Sequence, residues 1–324
     1  MNDIAATLDV GQLDRRTYLG SSDVAAILGL SKWKTPLDVY FEKLGQGVPP
    51  DAAKEKLFRR GKRLEPVVLD MLAEELDYEI TARGARYRDP GYPWMAAEID
   101  AETEIDGERV NIEVKTVHPF AAGEWGEMET DEIPIHYAAQ AMYGLMVTGR
   151  QRCIFAALFG ADNLVTYDLR SDEETIDGIR AKAIAFWTDH VLAKVPPEPI
   201  VLDDVYRLLR RDSDTIVEAD KDLTRLLAAY KEAKSRESAA GAQIEELKYQ
   251  IGVRVLGADA LAIPSRKPKH VITVAGLPAM TVAYQEQTRI DSEAVRSRHP
   301  DVAAECSKVS KFFRFDLPRK GTTR

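Results

Sequence analysis

Asp100, Glu113 and Lys115 are the residues of this chain whose types and spacing point most directly to chemistry. Glu113 and Lys115 lie two apart in Val110-Asn111-Ile112-Glu113-Val114-Lys115-Thr116-Val117, a run that alternates apolar and polar residues. As a strand it sends both side chains to one face and Ile112 and Val114 to the other. The run before it, Ala97-Glu98-Ile99-Asp100-Ala101-Glu102, alternates in the same way, and Asp106-Gly107 between the two suits a tight hairpin. Pairing of the strands brings Asp100 within reach of the polar face. Two carboxylates beside a lysine suit metal-dependent phosphodiester hydrolysis: hard oxygen ligands hold Mg²⁺, while the ammonium orients the attacking water and offsets charge that builds on phosphate. The same three residues also suit a solvated sheet face with one exposed ion pair.

Other elements must hold these groups in place. Leu19 to Gly29 reads as a helix with a cap serine and a stopping glycine. Ser22 at its start, with Arg15 and Arg16 just upstream, is either a phosphate-binding corner or a serine capping its own helix. Ser31-Lys32-Trp33-Lys34 is a turn in which Trp33 is core or an exposed contact, and Thr35-Pro36 opens a second helix that closes near Gly45. Ala52 to Leu76 is a long helical segment bent or restarted at Pro66. Glu65, set among Arg59, Arg60, Lys62 and Arg63, is there either a surface ion-pair partner or a third metal-directed carboxylate.

Tyr78 to Arg88 resembles an irregular strand, and Thr116 to Asp131 a polar loop beside the site. A helix from Ile133-Pro134 through Met146 puts Tyr137 and Gln140 on one face, where the glutamine bonds a water or a phosphate or is an ordinary surface amide. Gln151 to Phe159 is a buried strand with Cys153 as a core thiol; Leu164 to Leu169 is a further strand and Glu173 to Leu192 a helix. The linker Val195-Pro196-Pro197-Glu198-Pro199 ends a first domain at 199.

Beyond it, Leu223, Leu226, Leu227, Tyr230, Ile244, Leu247, Ile251 and Val255 recur at three and four, so 200–257 is one long helix or a helical hairpin with a coiled-coil-like surface. Residues 258–324 form a small α+β region: a basic, proline-containing loop from Ile263 to Lys269, a hairpin around Ala275-Gly276 and a short helix ending near Ser307. There Phe312, Phe313 and Phe315 close a small core or, with Lys308, Lys311 and Arg314, touch nucleic acid.

The 324 residues suffice for one large domain or two ordinary ones, and a net charge of −9 is unlike a generic DNA-coating protein. Two distant cysteines exclude a disulfide framework and a Cys₄ zinc or iron–sulfur site within one chain. Five scattered histidines give no support to a zinc site or a histidine triad, and the lack of a glycine-rich phosphate loop argues against NTPase activity. No run is apolar enough for a signal peptide or a bilayer span, so a soluble cytoplasmic protein without membrane partners is expected.

Taken together, Leu19 to Gly29, Arg60-Gly61-Lys62-Arg63-Leu64-Glu65-Pro66, Met95 to Asp100, Glu113-Val114-Lys115 and the Tyr137/Gln140 helix resemble, in order and spacing, the YqaJ-type viral recombinase family. That family is lambda-exonuclease-like, within the PD-(D/E)XK nuclease superfamily. The resemblance spans roughly residues 15 to 195 and implies an α/β, restriction-endonuclease-like core, a mixed sheet flanked by helices. It implies that Asp100 and Glu113 hold Mg²⁺, with Mn²⁺ as a substitute, that Glu65 assists the metal site, that Lys115 positions the water and that Gln140 supports the motif. Arg15 and Ser22 match the family's positions for gripping a 5′ phosphate, although Gly20-Ser21 departs from the small residues of lambda exonuclease; Tyr137 joins them as a substrate contact.

The activity so implied is 5′→3′ degradation of double-stranded DNA ends, leaving 3′ overhangs for a single-strand annealing recombinase. The setting is a phage or prophage protein in a bacterial host that assembles as a homo-oligomer, a trimer by resemblance. The rival readings are a RecB-like nuclease acting on single strands or flaps, and a non-catalytic DNA-end or partner-binding scaffold.

Overall fold

A computed structural model describes residues 14–212, 215–256 and 269–317. The chain divides into two compact units after Asp212. In the first, five strands stand in sequence order: β1 (Ala82–Arg88), β2 (Ala96–Ile105), β3 (Glu108–Val117), β4 (Arg152–Phe159) and β5 (Asn163–Arg170). All neighbours are antiparallel except β3 and β4, which run parallel. A parallel pair needs a crossover, and the helix α4 (Ile135–Thr148) supplies it.

Helices cover both faces of this mixed sheet. On one, Val68, Leu69 and Leu72 of α3 (Ala52–Leu76) pack on Ala101, Val110, Ile112 and Val114. On the other, α1 (Ser21–Ile27), α2 (Pro36–Lys43), α4 and α5 (Glu173–Ala185) enclose Ile99, Cys153 and Phe155. The architecture is the helix-flanked mixed sheet expected. β4 reads as a continuous apolar run because it is the strand buried on both faces.

Local chemistry explains the boundaries. Asp106 and Gly107 take φ of 53° and 80°, the left-handed pair that a two-residue hairpin turn requires. Thr35 and Asp38 cap α2 reciprocally, with Pro36 in its first turn. The first helix is capped differently from the serine cap expected. It begins at Ser21, the cap position falls on Gly20, and Asp23 returns its carboxylate to the Gly20 N–H at 3.1 Å. Pro66 lies within α3 without ending it, and α5 continues through a π-helical turn, Phe186–Leu192. β1 is shorter than the run expected from Tyr78, β3 extends to Val117, and the segment after it holds a 3₁₀ turn, Pro119–Glu124. After the proline-rich stretch the helix α6 (Leu202–Leu209) stays with the first unit, where Asp204 accepts from Thr35 Oγ1 at 2.9 Å and Arg207 pairs with Asp38.

In the second unit, 221–255 form a single helix, α7 (Lys221–Val255), not a helical hairpin. Leu226, Leu227, Ile244 and Leu247 on it are exposed. β6 (Lys269–Val274) and β7 (Leu277–Ala283) pair across Ala275-Gly276, followed by α8 (Ser292–Arg298) and α9 (Pro300–Cys306). The small aromatic core does not form: Phe312 is 76% and Phe315 57% exposed, with Tyr230 at 6.4 Å from Phe315 between ring centroids. The basic loop expected over 263–269 lies outside the described residues, except Lys269. Among the described residues no helix is long and apolar enough to cross a membrane.

Candidate active site

The β2–β3 hairpin and α4 assemble the site. The ladder between the strands closes with Ala101 opposite Ile112, and at the next position Asp100 turns its carboxylate onto the backbone, accepting the Val114 N–H at 2.8 Å. One residue earlier on β3, Glu113 points to the α4 side of the sheet and is only 2% exposed. Its Oε2 accepts from Lys115 Nζ at 3.0 Å and from Gln140 Nε2 at 2.9 Å. The Lys115 ammonium stands 5.3 Å from the centroid of the Tyr137 ring and 6.0 Å from that of Phe155. Ile112 and Val114 go to the opposite face, as period two demands.

Burial sets the electrostatics. It raises the Glu113 carboxyl most; Lys115 opposes the rise and Asp100 adds to it, so the group is pushed up to about 7. Asp100 is raised too, by burial first, against the pull of Lys115 and of the Val114 N–H. Burial works to strip the proton from Lys115, but Glu113 and Asp100 outweigh it and the ammonium holds its proton more firmly than a free lysine. Glu65, half-buried on α3, is raised by burial and then by Asp100, which marks it as an electrostatic neighbour of the pair.

Among the described residues no three histidine, cysteine, aspartate or glutamate side chains group closely enough to hold an ion by themselves. Two carboxylates disfavoured in their charged forms, with one ammonium between them, still fit a divalent cation. Mg²⁺ uses one or two carboxylates and keeps several waters, and the charge of the ion would offset the cost of ionising two buried carboxyls.

A cleft of about 180 Å³ opens onto Asp100 and Gln140, lined also by Arg15, Ser21 and Ser22 among others. Arg15 donates to Ser22 Oγ at 3.0 Å and to Asp23 at 3.3 Å. Asp23 is fully buried and also pairs with Lys34 at 2.9 Å and Lys43 at 2.7 Å. Burial works to raise its pKa, but Lys34, Lys43 and Arg15 outweigh that and hold the carboxyl well below the usual range. Lys43 in turn is lowered, since burial, with Arg15 and Lys34, exceeds what Asp23 gives back.

The structure thus brings Asp100, Glu113, Lys115 and Gln140 together and puts Arg15 and Ser22 on the same cleft. Glu65 borders it electrostatically, and the Tyr137 ring packs between Lys115, Trp125 and His136. Asp23, Lys34 and Lys43 were not legible as site residues. Nothing in the spacing of 23, 34 and 43 shows that a helix start, a turn and a second helix meet around one buried carboxylate.

Asp23 has a consequence for stability. A carboxylate depressed in the folded state stabilises it above the ordinary carboxylate pKa and loses that contribution as pH falls toward the folded value. Asp23→Asn is therefore expected to cost about 3–5 kcal/mol near neutral pH, since it strands buried Lys43. Urea melts of both proteins should show the gap narrowing at about pH 3; a gap independent of pH would contradict this reading.

The family described as the YqaJ-like viral recombinase domain matches residues 12–151. The protein YqaJ of Bacillus subtilis (strain 168) is 30% identical over 318 residues, which cover 94% of this chain and 92% of that one. The chain belongs to the YqaJ-like viral recombinase family. Among solved structures, the alkaline exonuclease LHK-Exo from Laribacter hongkongensis is 18% identical with a TM-score of 0.45, covering 61% of this chain and 95% of that one. A phage-related exonuclease from Haemophilus somnus 129PT is 14% identical with a TM-score of 0.41, covering 55% and 96%. The YqaJ-like match includes every candidate site residue from Arg15 to Gln140, and the second unit of this YqaJ-like protein lies outside it.

Proposed function

We propose that this protein is a Mg²⁺-dependent exonuclease that degrades double-stranded DNA from 5′ ends and leaves 3′ single strands for an annealing recombinase. The observation that carries the reading is a cleft lined by Asp100 and Gln140 together with Arg15 and Ser22, with Glu113 and Lys115 joined to it through the Glu113 oxygen that Gln140 also bonds. Membership of a viral recombinase family supports a nuclease role in recombination. A homo-oligomer, trimeric by the same family likeness, completes the proposal, as does a division of labour in which the unit ending at Asp212 cleaves and the unit after it serves assembly or partners.

Asp100 and Glu113 would hold a divalent ion, which would supply Lewis-acid activation of water and neutralise charge on the phosphate. Glu65 adds negative potential from α3. Gln140 donates to Glu113 Oε2 and fixes the orientation of that carboxylate. Lys115, kept protonated by both acids, donates toward the attacking oxygen and the phosphate as negative charge accumulates there. Tyr137 and Phe155 flank the ammonium and restrict its movement. Arg15, with Ser22 bonded to it, presents the charge and hydroxyl that a terminal phosphate needs.

Three substrates test this reading: a 5′-phosphorylated duplex, a 5′-hydroxyl duplex and a single strand, each end-labelled and incubated with Mg²⁺. The phosphorylated duplex should be degraded fastest, with Arg15→Ala erasing most of its advantage. Preferential digestion of the single strand would assign the site to the RecB-like alternative.

A further inference from the structure

We infer that Trp33 is a stacking platform for a nucleobase of the strand led to Lys115, an inference that rests on the nuclease reading above. Trp33 is 64% exposed, yet its turn is tied to the body of the unit by a serine and two lysines. Ser31 Oγ accepts from the N–H groups of Trp33 and Lys34, each at 3.2 Å. Lys32 pairs with Glu124 at 2.5 Å, on the 3₁₀ turn that follows the catalytic strand. Lys34 pairs with Asp23 at 2.9 Å and so ties the turn to the wall that carries Arg15. An indole on a turn so anchored, set edge-on against His136 with most of its surface in solvent, is prepared for a flat partner and loses little entropy on meeting one.

The ring continues a chain of aromatic contacts into the site. Trp33 meets His136 edge-on, with centroids 5.0 Å apart; His136 lies 4.2 Å from Tyr137; and Tyr137 faces the Lys115 ammonium at 5.3 Å. His136 is buried, its Nε2 has no hydrogen-bond partner, and burial followed by Lys32 lowers its pKa, so the link is a neutral ring. Trp33 is therefore the outer, open end of a path that finishes at the catalytic lysine, on a turn tied to the phosphate-facing wall. A nucleobase is the occupant this chemistry selects: every base offers a π-face, its backbone carries the phosphate the cleft attracts, and stacking does not depend on sequence.

The test uses the full chain and DNA duplexes, with binding measured in EDTA so that nothing is cleaved. Trp33→Ala should weaken binding of a duplex end about tenfold, whereas Trp33→Phe should keep most of it. Duplexes with a single abasic site at successive terminal positions add a readout that a purely structural role would not move. At one position the missing base should weaken the wild type by a similar factor and have no further effect on Trp33→Ala, the non-additivity of a direct contact. Quenching of tryptophan emission on DNA binding should also shrink in Trp33→Phe, and this holds the test open even if the alanine variant fails to fold. Binding of Trp33→Ala within twofold of wild type, with the same abasic penalty, would overturn the inference while wild-type digestion in Mg²⁺ leaves the nuclease reading standing. A wild type that neither binds nor digests DNA ends would overturn both.

Discussion

Lys115→Ala is expected to lower the rate of DNA cleavage by about 10³-fold or more while leaving DNA affinity within a few-fold of wild type. The reason lies in where the ammonium sits. It is bonded to Glu113 at 3.0 Å, beside the carboxylates proposed to hold the ion, where charge builds as the phosphate reacts. A charge placed in advance in a site that excludes water acts mainly on the transition state, so its loss falls on kcat and not on binding. The fold should survive, because Glu113, already pushed up to about 7 by burial, takes a proton when its partner is removed. The sign of the pH effect follows: a carboxyl raised in the folded state gives stability that is complete below its unfolded pKa and is lost as pH rises through the folded value. Thermal melts of Lys115→Ala should therefore fall with rising pH above about 7 more steeply than those of wild type. Cleavage at the wild-type rate by this variant would remove Lys115 from the mechanism.

Asp100→Asn and Glu113→Gln are expected to be as severe for a different cause. Each removes half of the negative charge that the cation needs, so each should abolish cleavage at a Mg²⁺ level that saturates wild type, and partial rescue should appear only at much higher metal. The two should differ in stability. Asp100 accepts the Val114 N–H, a bond that asparagine retains through its carbonyl oxygen. Glu113→Gln keeps an acceptor for Gln140 and Lys115 but leaves the ammonium facing a neutral amide, so the cost in folding should be larger there. Full activity of either variant at ordinary Mg²⁺ would exclude that carboxylate as a ligand.

Much of this site was legible because strand periodicity is strict. Glu113 and Lys115, two apart on a strand, share a face, and Asp106-Gly107 suited a tight turn whose pairing brings Asp100 within reach of them. Gln140 was assigned to the right helix, although its role became specific only when its amide was found on the same oxygen that Lys115 uses. The charged hub at Asp23 was hidden for the opposite reason. Lys34 and Lys43 reach it from a turn and a helix, and no local pattern distinguishes a buried lysine from the many solvated ones in a chain that is 30% charged. The aromatic tail was legible only in composition. Phe312, Phe313 and Phe315 have the composition of a core, but Phe312 and Phe315 stay exposed and Phe313 is only half-buried.

Titration of Mn²⁺ into the purified protein, followed by electron paramagnetic resonance, decides whether Asp100 and Glu113 form a divalent-metal site. Saturable binding is expected for wild type, retained by Lys115→Ala and weakened at least about tenfold in Asp100→Asn and in Glu113→Gln. Equal Mn²⁺ binding by wild type and both carboxylate variants would contradict such a site.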